Sequence, residues 1–133
     1  MERWLSRESE TSSVLDLLRG EYMQDNLLIA RNVRKTIEYV EKNIYNFPNE
    51  YKVLKERIIN SCYDILENVY RANVNQKREY KDEVLVQIRM LNFYLKQALD
   101  KELISKKKFL SYGRHLEQIH NMVYSWCGYE KSE

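Results

Sequence analysis

Three glycines and one proline serve the whole 133-residue chain. A β-rich fold needs many tight turns, and turns draw on those two residues. Their scarcity excludes such a fold and suits long helices joined by few loops. No run approaches 18 apolar residues, so nothing in the sequence reads as a membrane span. The opening residues, Met1-Glu2-Arg3-Trp4-Leu5-Ser6-Arg7, lack the apolar stretch of a signal peptide. Two cysteines, Cys62 and Cys127, sit singly within helical patterns. They are expected to be free, buried thiols of a cytoplasmic protein. The glycines, Gly20, Gly113 and Gly128, are too scattered for a phosphate-binding loop.

What is present is hydrophobic periodicity. Four series of apolar positions advance in steps of three and four. They are Ala30, Val33, Ile37, Val40, Ile44; Leu54, Ile58, Ser61, Ile65, Val69, Ala72; Val84, Ile88, Leu91, Leu95, Ala98; and Phe109, Tyr112, Leu116, Ile119, Val123, Trp126. This is the spacing of helices packed lengthwise. Each series meets a break. Phe47-Pro48-Asn49 closes the first, because proline disfavours helix at the residue before it. Asn73-Val74-Asn75 closes the second, and Lys101-Glu102-Leu103-Ile104 separates the third from the fourth. Ser105 is a suitable N-cap for the last helix and Gly128 a suitable C-terminal cap. The expectation is an all-α, up-down antiparallel four-helix bundle over residues 26–128, its short loops making neighbours antiparallel. Residues 1–25 read as an N-terminal extension with a short helix around 12–20, opened by Ser13-Val14-Leu15-Asp16. Residues 129–133 form a tail.

A catalytic centre is hard to argue. Glu117-Gln118-Ile119-His120 is one Glu-x-x-His motif, whereas a di-metal bundle needs two with two further glutamates. His115, His120, Cys62 and Cys127 have no zinc-ligand spacing. The reading is therefore a binding protein without cofactor or metal.

Charge and tyrosine carry the functional signal. The net charge is +2, but residues 1–25 hold three basic and six acidic residues, leaving 19 basic and 14 acidic in the remainder. Lys106, Lys107 and Lys108 follow the N-cap of the last helix, where the macrodipole disfavours cations. Exposed amides and three lysines together make a phosphate site. Arg71, Lys77, Arg78 and Lys81 flank the second loop, and Arg31, Arg34 and Lys35 lie on the first helix. These ten residues are the candidate contacts to RNA or DNA; interleaved Glu38, Glu41, Glu79 and Asp82 leave open that they are merely solvated faces. Of 11 tyrosines, Tyr39, Tyr45, Tyr63, Tyr70, Tyr80, Tyr94 and Tyr124 fall outside the core series. Tyrosine there suits protein interfaces and can stack on unpaired bases. Ile59, Cys62 and Leu66, with Leu85 and Phe93, form a second apolar stripe. Ile59, Tyr63, Leu66, Leu85 and Phe93 are the candidate oligomer interface.

Several fragments, in order, resemble a known family. They are Phe47-Pro48 and Leu54…Ile58, then Asp64-Ile65-Leu66-Glu67…Arg71-Ala72-Asn73, then Leu91…Leu95…Ala98. Leu103-Ile104-Ser105-Lys106-Lys107-Lys108-Phe109 and Leu116-Glu117-Gln118-Ile119…Met122…Trp126 follow. Residues 27–127 thereby resemble the Avd-like four-helix bundle proteins. These comprise the accessory variability determinant of diversity-generating retroelements and proteins encoded in intervening sequences of bacterial large-subunit rRNA genes. The stretch His120 to Ser125 departs from the family, which has a glycine before the tryptophan. The resemblance implies a barrel-shaped homopentamer with a basic surface and no active site. In retroelements it implies binding to a reverse transcriptase and its template RNA.

Overall fold

The computed structural model describes residues 24–75 and 77–127, with side chains over 28–75 and 77–126. The expected helix around 12–20 and the Gly128 cap lie outside the described residues. Helix α1 spans Gln24–Ile44, α2 Lys52–Asn75, α3 Arg78–Asp100 and α4 Lys106–Cys127. A single 3-10 turn, Asn49–Tyr51, precedes α2. Each helix packs on its neighbours in sequence, and α1 packs on α4, which closes an antiparallel four-helix ring. All four helices are amphipathic, so each can bury one stripe only by facing the others.

The heptad series form the core. Val40, Ile44, Ile58, Val69, Val84, Leu91, Ala98, Tyr112 and Val123 are fully buried. Phe109 and Trp126, at the two ends of the fourth series, are half-buried against the same cluster. Burying a leucine or isoleucine of this kind contributes about 1.5–3 kcal/mol, so the seam holds the bundle together.

The ends of the helices follow local chemistry. After Ile44 the chain turns through Phe47, whose N–H donates to the Ile44 carbonyl at 3.1 Å, and Pro48 then starts the 3-10 turn. Ser105 caps α4: its Oγ accepts from the Lys108 N–H at 3.1 Å. Helix α3 ends differently. Glu102 N–H donates to Leu99 O and Leu103 N–H to Ala98 O, both at 2.9 Å. This paired closure normally uses glycine in the left-handed conformation, and here Glu102 adopts it, with φ of 60°.

Candidate nucleic-acid interface

The antiparallel ring puts the α1–α2 and α3–α4 connections at one end of the bundle. The α2–α3 connection, the start of α1 and the end of α4 share the other. Residues 96–108 hold five lysines and two acids, and residues 42–55 three lysines and one acid. One end is therefore rich in lysine. Lys96 is held by Asp100 at 2.7 Å, and Lys55 donates to the Tyr45 carbonyl at 2.7 Å. Lys42, Lys52, Lys101, Lys106, Lys107 and Lys108 are exposed. The last three meet no carboxylate among the described residues. Consecutive helical residues are rotated by about 100°, so these three ammonium groups fan around the start of α4. Such a fan suits a track of phosphates better than a single ion. Arg114, seven residues after Lys107, extends the exposed basic surface along α4.

The other two predicted groups lie away from this end. Residues 67–83 contain four basic and four acidic residues, so their charge cancels locally. The Arg71 Nη2 and Nε both reach Glu67 Oε2, at 2.9 and 3.0 Å, and its guanidinium lies 6.0 Å from the Tyr80 ring centroid. Arg78 Nε stands 3.9 Å from Asp82. Lys81 Nζ sits 4.6 Å over the Trp126 ring and 3.5 Å from its carbonyl oxygen. Lys77 is exposed, and its backbone N–H is tied to Asn75 Oδ1 at 3.0 Å. On α1, Arg31 and Lys35 are exposed, whereas half-buried Arg34 donates to the Tyr70 hydroxyl at 2.5 Å. The ten basic residues thus form two separate regions.

The residues expected to join copies of the chain also divide. Ile59, Leu66 and Leu85 are half-buried against this chain's own core. The Tyr63 hydroxyl donates to Glu41 on α1, and that bond holds the phenol above the ordinary tyrosine range. Tyr63 and Tyr70, two turns apart, thus reach Glu41 and Arg34, two turns apart on the antiparallel helix. Phe93 is 54% exposed and shares the outer face of α3 with Val86 and Met90, which sequence reading missed. These three fall at i, i+4 and i+7, opposite the core stripe.

The histidines have aromatic neighbours: the His115 ring lies 5.1 Å from that of Tyr39, and His120 stacks on Tyr124 at 5.7 Å. No three metal-ligating side chains converge among the described residues. Cys62 is buried and its thiol is pushed up to about 12, mainly by desolvation. Such a thiol is unreactive. The side chain of Cys127 lies outside the described residues. No described helix is long and apolar enough to cross a membrane. Set against protein-family models, curated proteins and solved structures, the chain finds no match in any of the three.

Proposed function

We propose that this protein is a non-catalytic nucleic-acid-binding accessory subunit that serves a reverse transcriptase in a diversity-generating retroelement. The observation that carries nucleic-acid binding is the lysine-rich end, above all Lys106, Lys107 and Lys108 around the amides that open α4. Lysines there oppose the helix dipole until an anion arrives. The retroelement role and the homopentamer rest on the sequence resemblance alone. A second reading, a protein-interaction bundle of the rRNA intervening-sequence type with no retroelement role, draws support from the outward stripe Val86, Met90 and Phe93.

Fluorescence anisotropy with a short labelled single-stranded RNA, titrated between about 50 and 200 mM salt, tests the first reading. The variant Lys106/Lys107/Lys108→Ala should bind more weakly and lower the slope of log affinity against log salt by about 2. Equal affinity and equal slope would remove the lysine end from the reading. Co-purification of a co-expressed reverse transcriptase after nuclease treatment tests the partner. Mass in solution tests the assembly, which should equal five chains of 16.2 kDa.

A further inference from the structure

At the end of the bundle away from the lysines, α2 and α3 leave an open groove of about 380 Å³. Glu67, Tyr70, Arg71, Val74, Asn75 and Tyr80 line it. We propose that this groove takes one unpaired base of a single-stranded nucleic acid, stacked on the Arg71 guanidinium. The inference rests on the nucleic-acid reading above and adds a second, aromatic site to it.

Arg71 is tethered within its own helix. Both its Nε and Nη2 donate to one oxygen of Glu67, which fixes the plane of the guanidinium. Tyr80 of α3 stands beside it, its ring centroid 6.0 Å from the guanidinium carbon. The Arg71 side chain is still 52% exposed, so the guanidinium remains open to solvent. A guanidinium oriented by a carboxylate, with a tyrosine beside it, offers a plane for stacking, and nucleobases stack on arginine planes as they do on aromatic rings. Val74 beside it is 80% exposed, an apolar surface that an incoming base would cover.

The rim supplies what a polynucleotide also needs. Glu67 and Asn75 offer polar groups to a base edge. Lys77, attached through its N–H to Asn75, is exposed beside them. On the α1 side, Arg34 is oriented by the Tyr70 hydroxyl, to which its guanidinium donates. Cations therefore flank a stacking surface, which fits phosphates on either side of one base.

The test uses the full chain and a short single strand carrying one 2-aminopurine, with an abasic strand as control. Binding should quench the 2-aminopurine fluorescence, and the abasic strand should bind about 5- to 100-fold more weakly. Tyr80→Leu should weaken the intact strand by a similar factor while leaving the salt slope unchanged, and Tyr80→Phe should restore binding. Arg71→Lys keeps the charge but loses the plane, so it should weaken binding as well. Thermal melts of each variant establish that it is folded. If the abasic strand binds as tightly as the intact one, or if Tyr80→Leu and Arg71→Lys bind like the parent while the triple lysine variant does not, the groove is not the site and the lysine-end reading stands. A chain with no affinity for either strand removes both.

Discussion

Glu102 donates its backbone N–H to the Leu99 carbonyl at 2.9 Å while holding φ at 60°, a left-handed conformation that disfavours a side chain. The bond satisfies one of the last carbonyls of α3, and Leu103 N–H satisfies that of Ala98. Glycine would meet the same geometry without the steric conflict of a Cβ. Glu102→Gly is expected to stabilise the bundle by about 0.5–1 kcal/mol, measured by urea unfolding. Glu102→Ala, which removes the charge but keeps the Cβ, should not. If both variants gain equally, relief of the carboxylate's repulsion by the C-terminal end of α3, and not backbone strain, is the cause.

Tyr112 is fully buried, meets Tyr39 edge-on at 5.2 Å, and leaves its hydroxyl without a hydrogen-bond partner among the described residues. A buried hydroxyl in that position costs stability, while the ring contributes packing. Tyr112→Phe should therefore raise stability by about 1 kcal/mol and the melting temperature by about 4 °C. A loss of stability would mean that the hydroxyl has a partner in solution.

Burial of Cys62 and Tyr112 weakens the fold as pH rises into the alkaline range. Desolvation pushes the thiol from 9.0 up to about 12, with Glu41 adding to the shift, and the Tyr112 phenol from 10.0 up to about 12. Between pH 9 and about 12 the folded chain keeps a proton on Cys62 that the unfolded chain has released. Stability is then full below pH 9 and falls as pH rises, by at most about 1.4 kcal/mol per pH unit for the thiol, with the phenol joining above pH 10. Cys62→Ala should flatten the decline in urea midpoint between pH 9 and 10, whatever it does to absolute stability. In a Cys127→Ser background, Cys62 should react with a thiol reagent at pH 8 only once the chain unfolds. Rapid reaction in the folded state would contradict its burial.

The core was legible because the helical period dictates it. Every position of the first and third heptad series is buried, as is every position of the second. Ser105 was legible as a cap because serine presents its oxygen to the amide three residues on. The arrangement of the surface was less so. Angular position on a helix says that Tyr63 and Tyr70 stand off the core seam, but not that α1 would offer Glu41 and Arg34 to their hydroxyls. The same limit applies to Ile59, Leu66 and Leu85, which their own neighbours half cover. Lys42, Lys52 and Lys101 escaped notice because they join the lysine triplet only when two loops meet at one end. Val86 adjoins Leu85 and Met90 adjoins Leu91, apolar neighbours already assigned to other stripes, which hid their helical spacing with Phe93. The Arg71–Tyr80 groove needs two helices side by side, and nine residues of separation in the chain give no sign of it.

The uneven placement of lysine also bears on how the molecule meets a partner. With excess ammonium groups around two loops and balanced charge at the far connection, the described residues carry their positive charge unevenly along the bundle, which gives that part of the chain an electric dipole. In the field of a polyanion, such a rod experiences a torque before any contact forms. Under the nucleic-acid reading proposed above, encounters would begin with the α4 N-terminus leading, and fewer sideways collisions would be wasted. The advantage fades once the screening length, about 8 Å at physiological ionic strength, falls below the approach distance.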